Sequence, residues 1–143
     1  MAAKDTQKEN IDLIAKIVGY WFTDKSKILP LLAKDCVYEV SAGSTWKGVP
    51  IFGTYRGPKR VESFFKKLDE QLITSQCFRP RRNHYHAEGD RVSVSGSTTY
   101  QLVGKRKTFH VYWWLLWTVR RGKVVRLQWK FDEAKMSEAF KKK

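Results

Sequence analysis

Apolar residues recur at helical spacing from Ile11 onward. Ile14, Val18 and Trp21 follow at i+3, i+7 and i+10, and Ile17 and Phe22 widen the stripe. The pattern predicts an amphipathic helix behind a polar, frayed segment 1–9. "TDKSK" interrupts it. Asp24 suits the N-cap of a short second helix over residues 28–32, and Pro30 is tolerated in or near the first turn of that helix. "DCVYEV" reads as a short strand. "SAGSTWKGVPIFGTYRG", rich in Gly, Ser and Pro, reads as a long loop. Pro58 opens a third helix, with Val61, Phe64, Phe65, Leu68 and Leu72 on its apolar face.

From Thr74 the texture changes to strands. "SQCFRPRRNHYHAE", "RVSVSGSTTYQLV", "TFHVYWWLLWTV" and "VVRLQWKF" are separated by the turns "GD", "GKRK" and "RRGK". Successive hairpins of this kind predict an antiparallel meander. "DEAKMSEAFKKK" ends the chain as a short helix and a basic tail, with residues 141–143 frayed. Helices first and an antiparallel sheet after make an α+β domain, a single one over 1–143, with the helices on one face of the sheet.

One strand breaks the usual alternation. "HVYWWLLWTV", residues 110–119, places three tryptophans within five consecutive positions and is apolar on both faces. It is too short to span a bilayer as a helix, which takes about 20 apolar residues. Both of its faces must therefore be covered, or one of them binds something.

Composition narrows the class. With 42% hydrophobic and 14% aromatic residues the chain is globular rather than disordered. A net charge of +14 favours solubility and attraction to polyanions, and says nothing about fold. Cys36 and Cys77 match no zinc or redox spacing and read as buried free thiols. "MAAKDTQKEN" has no apolar stretch behind a basic start, and no run is long enough for a membrane span, so a cytoplasmic protein is expected. No nucleophile motif, phosphate-cradling loop or dinucleotide fingerprint is present, and no cofactor is expected.

The order of elements, together with "LLAKDCVYEV", "VPIFGTYRGPKRVESFFKKL", "AEGDRVSVSG" and "RRGKVVRLQWKFD", resembles the SnoaL-like branch of the nuclear transport factor 2-like superfamily, which also holds the ketosteroid isomerases. The resemblance implies a cone: a curved antiparallel sheet wrapped around the N-terminal helices, with an apolar pocket at its wide end. The superfamily includes isomerases, cyclases, dehydratases, epoxide hydrolases and non-catalytic binding or scaffold domains, so the fold does not settle the reaction.

Alignment with the isomerase pattern implies which strand parity faces the pocket. It places Val111, Trp113 and Leu115 there, with Val94, Thr98 and Tyr100, with Leu127, Trp129 and Phe131, and with Tyr38 and Val40. Tyr55 and Trp46, on the long loop, are placed to close the mouth. Many apolar walls with few polar anchors make a small-molecule site for an apolar or aromatic ligand. The alternative is that these aromatics simply fill the cone. The isomerase chemistry does not carry over: Val40 stands at the position of the carboxylate base and Leu115 at that of the oxyanion-hole acid, while Lys16 or Tyr20 falls near the tyrosine position.

Few other ionisable candidates remain. His84 and His86 share one face of a presumed strand, without a third or fourth metal ligand. Asp132 is either a rim base or, preferably, the cap of the last helix. Arg79, Arg81 and Arg82, then Lys105–107, then Arg120, Arg121 and Lys123, and finally Lys141–143, gather at turns and form a basic rim able to bind polyanions weakly and without sequence preference. Two functions stay open: a pocketed small-molecule domain, with or without catalysis, and a non-catalytic binding or scaffold domain with a polyanionic partner. The second parity of the tryptophan strand, His110, Tyr112, Trp114 and Leu116, lies on the convex sheet face. The resemblance implies a two-fold homodimer there, with Tyr112 and Trp114 near its centre. The competing occupant is the C-terminal helix, folded back through Met136 and Phe140.

Overall fold

A computed structural model describes residues 3–43, 48–77 and 80–141. The first helix, α1 (Ala3–Thr23), starts well before the apolar stripe and buries Ile14 and Ile17 completely or nearly so. Asp24 ends it and caps the next element, a 3-10 helix over Lys25–Leu31 with Pro30 inside. The Ser26 amide donates to Asp24 Oδ1 at 3.0 Å, and Ser26 holds the Asp24 carboxyl below its usual range. Strand β1 (Leu32–Val40) follows, longer at its start than the sequence pattern suggested.

The long loop contains a strand that the sequence did not signal, β2 (Gly53–Arg56), paired antiparallel with β1. The same segment lodges Ile51 in the core, and Phe52 stacks on Phe131 at 6.2 Å. Trp46 lies outside the described residues. Helix α2 (Pro58–Gln71) begins behind Gly57, whose φ of 82° suits glycine, and buries Val61, Phe64, Phe65 and Leu68. Leu72 ends α2 and opens β3 (Leu72–Cys77).

The expected strand over "SQCFRPRRNHYHAE" is broken. A 3-10 turn over Arg82–His84 separates β3 from the short β4 (His86–Glu88). The rest forms as the pattern predicts: β5 (Arg91–Leu102), β6 (Thr108–Arg120) and β7 (Lys123–Phe131), then α3 (Glu133–Lys141). Arg121 and Gly122, with φ of 52° and 73°, make the two-residue β6–β7 turn. Positive φ at both central residues matches the right-handed strand twist.

The seven strands form one curved, unclosed sheet in the order β2-β1-β7-β6-β5-β3, with β4 also on β5. It is not purely antiparallel, because β1 runs parallel to β7. Ser41 anchors that pair: its amide donates to the Trp129 carbonyl at 2.6 Å, and its Oγ accepts from the Phe131 amide at 3.1 Å. The concave face packs on α1 and α2. Tyr38, at its centre, meets the rings of Phe64, Phe65 and Trp117 edge-on at 6.2–6.4 Å. Such pairs are worth roughly 0.5–1.5 kcal/mol beyond the area they bury. Cys36 is a buried free thiol, pushed up in pKa by burial. The side chain of Cys77 lies outside the described residues.

Candidate functional site in the cone

The alternation along β6 is unambiguous. Val111, Trp113 and Trp117 are buried and Leu115 partly so, while Tyr112 and Trp114 are 59% and 52% exposed. The same period puts Val94, Thr98 and Tyr100 of β5, and Leu127, Trp129 and Phe131 of β7, on the concave face.

Between this face and α1 lies a void of about 50 Å³. At roughly 10–15 Å³ of such volume per water, it has room for a few waters. Tyr38, Thr98, Tyr100, Trp113, Leu115 and Trp129, all foreseen as pocket residues, line it. Leu127, also expected there, lines it too, and Trp117 joins them by the same strand parity. Ile17, Val18, Trp21 and Phe22 of α1 close the opposite side together with Pro80. Their signal was the apolar helical stripe, which marked a buried face without saying what it faced. Pro80 carried no signal.

Of the other expected residues, Tyr20, Val40, Tyr55, Phe131, Val94 and Val111 do not line the void. Tyr20 sits on the outer side of α1, with the Lys16 and Lys27 ammonium groups 5.9 and 5.8 Å from its ring centre. Val40 is fully buried beside Trp129 in the parallel pair, where β1 ends. Tyr55, on β2, packs against Phe64 at 4.8 Å and donates its hydroxyl to the Ile51 carbonyl at 2.9 Å. It does not close the mouth of the void. Phe131 is occupied by Phe52, Tyr100 and Trp129. The cone is thus filled by its own loop at this end, and the void survives only toward the last turns of α1.

The void has little acid–base capacity. Among the described residues no carboxylate, imidazole, thiol, ammonium or guanidinium group lines it. Its polar atoms are hydroxyls and indole N–H groups. Trp113 Nε1 donates to Thr98 Oγ1 at 2.8 Å. Burial pushes the Tyr38 hydroxyl well above the usual tyrosine range, so it stays protonated at neutral pH.

The remaining candidates are structural. His84 sits in the 3-10 turn, where its Nδ1 accepts the Arg81 amide at 2.8 Å, and His86 is on β4, so the two do not share a strand face. Among the described residues no group of three or more His, Cys, Asp or Glu could hold a metal ion. His110 points away from the void and pairs with Thr99 Oγ1 at 2.8 Å. Asp132 caps α3: its carbonyl accepts the Met136 amide at 3.1 Å and its Oδ1 the Lys135 amide at 3.2 Å.

The convex face carries a broad, open groove of about 770 Å³ along Tyr112, Trp114, Leu116, Gln128 and Lys130. The last helix does not cover it. Met136 and Phe140 join the main core instead, and Ala139 lies over Phe109 and Leu102 at the β5–β6 end. No helix among the described residues is long and apolar enough to cross a membrane.

A cone of helices inside a curved sheet, hollow at one point, defines a nuclear transport factor 2-like fold. The profile of the SnoaL-like domain family matches residues 22–127, and the chain belongs to that family. Three solved structures place it further. An NTF2-like protein from Burkholderia xenovorans is 26% identical, with a TM-score of 0.76 over 94% of this chain and 97% of that one. TerC, co-crystallised with polyporic acid, is 24% identical, with a TM-score of 0.73 over 93% of this chain and 98% of its own. A SnoaL-like polyketide cyclase from Jannaschia sp. is 13% identical, with a TM-score of 0.71 over 94% and 92%. No curated protein sequence matches the chain significantly.

Proposed function

We propose that the chain works as one SnoaL-like domain that binds a small, neutral, largely apolar molecule in the cone. The observation that carries this reading is the lining of the void: among the described residues it has aromatic and aliphatic walls, three hydroxyl-bearing side chains and no ionised group. A charged ligand would find no partner there, and burying it unpaired would be costly. The same lining limits chemistry. Among the described residues proton abstraction of the isomerase kind has no base at the void, and what the lining offers a reaction is positioning and hydroxyl donation. Co-crystallisation of TerC with polyporic acid supports a small-molecule ligand, though not its neutrality. The void is smaller than such a molecule, so entry requires Trp21 and Phe22, both partly exposed beside Pro80, to swing aside.

Titration with polyporic acid and with planar steroids, followed by tryptophan fluorescence, tests the reading. Saturable quenching that weakens in Trp113→Ala is expected. No saturable response to any of them overturns it.

The convex face supports a second component. Its exposed Tyr112 and Trp114 suit a two-fold homodimer interface, since monomers seldom leave such a patch open. The net charge of +14 supports weak, salt-sensitive polyanion binding outside both surfaces, in a cytoplasmic setting.

A further inference from the structure

Four tryptophans line the void, and the three on the sheet, Trp113, Trp117 and Trp129, differ in the standing of their indole N–H groups. Trp113 Nε1 has its acceptor in Thr98. Trp117 Nε1 and Trp129 Nε1 are buried and have none among the described residues. Their side chains are well over nine-tenths buried, at 4% and 6% residual exposure, and both border the void. In the β6–β7 register Trp117 faces Leu127 and Leu115 faces Trp129, so the two indoles are diagonal neighbours on one face. An unsatisfied buried donor costs about 1–3 kcal/mol, and phenylalanine would fill much of the same volume without that cost. The fold thus supplies an acceptor for one indole and leaves two buried donors without one, on residues that line the same hollow.

We propose that Trp117 and Trp129 donate hydrogen bonds to a carbonyl-type oxygen on the ligand, so that the cone selects planar ketones or quinones over the matching hydrocarbons. This rests on the binding function proposed above. A carbonyl oxygen has two lone pairs and no charge, which fits donors in a site without counter-ions. The two indoles are specificity-determining residues.

The test compares indanone with indane, which differ by that oxygen. Calorimetry on the full chain is expected to show indanone binding about tenfold tighter or more, the equivalent of one buried hydrogen bond recovered. In Trp117→Phe and Trp129→Phe the preference falls toward unity. Wild-type protein labelled at the indole nitrogens gives a readout that needs no variant: two of its six indole N–H signals move downfield with indanone and stay in place with indane. Equal binding of both compounds by the wild type overturns the proposal, as does a preference that survives in both variants. So does an internal water that holds both N–H groups in the complex. If neither compound binds, both the donor assignment and the binding function fall. If both bind equally, only the donor assignment falls.

Discussion

Both faces of β6 carry large aromatic residues at the centre of the strand, with opposite fates. Trp113 and Trp117 on the concave side are nearly inaccessible, while Trp114 and Tyr112, their chain neighbours, stand more than half exposed. Hydrophobicity alone does not decide burial. The helices among the described residues cover the concave face of the sheet, and Tyr112 and Trp114 on the convex face stay exposed. The concave face was closed by local chain economy: α1, α2, the loop through Ile51 and Phe52, and α3 through Met136 and Phe140 all converge on it.

The sharpest way to break this contrast is truncation. Phe64 is fully buried and touches the rings of Tyr38, Tyr55, Phe65 and Trp129. Phe64→Ala is expected to cost about 3–5 kcal/mol in urea unfolding, against about 0.5 kcal/mol or less for an exposed residue such as Val103. Similar losses at the two sites would mean that the concave face is not the core. A smaller effect is expected on the other face. If Tyr112 and Trp114 form the centre of a homodimer, Trp114→Glu should cost about 2 kcal/mol or more of association. Analytical ultracentrifugation would then show a dimer converted to monomer at tens of micromolar. A wild-type monomer under the same conditions removes the partner from the convex face.

The mildest effect separates the faces by pH. Tyr38 has its ionisation raised by burial in the folded chain, with a smaller repulsion from Cys36. The unfolded chain therefore gives up that proton first, near pH 10. The Tyr38 contribution is fully present below pH 10 and is lost as pH rises above it. The slope is up to about 1.4 kcal/mol per pH unit for one such group. Tyr38→Phe should remove that part of the alkaline loss, and Tyr112→Phe, on the exposed face, should not. Identical alkaline profiles for wild type and Tyr38→Phe would show that the hydroxyl is not shielded as the fold suggests.

Much of this architecture was legible in the chain because its signals are local. Period-two alternation groups Trp113 with Trp117 on one side of their strand, and the resemblance to the isomerase pattern implied that this side, with Trp129 and Tyr38, faces the cone. Asp24 and Asp132 were readable as caps because capping is a matter of neighbours in sequence. The site was harder. Tyr38, Thr98, Tyr100, Trp113, Leu115 and Trp129 share the void because parity and depth coincide, whereas Val40 and Phe131 have the right parity at the wrong depth.

What the sequence determined by itself, then, is most of the helices and strands and which residues share a side of each strand, since both follow from the geometry of a few consecutive peptides; β2 and the 3-10 turn over Arg82–His84 were not among them. What only the tertiary structure decided is non-local. The parallel pairing of β1 with β7 joins residues some ninety positions apart and leaves no hairpin signal between them. The insertion of Ile51 and Phe52 shrinks the cone from a pocket to a narrow void. The missing acceptors of Trp117 and Trp129 emerge only once every neighbouring side chain has been placed. Burial and hydrogen-bond satisfaction are properties of the whole packed assembly, and no window along the chain contains them.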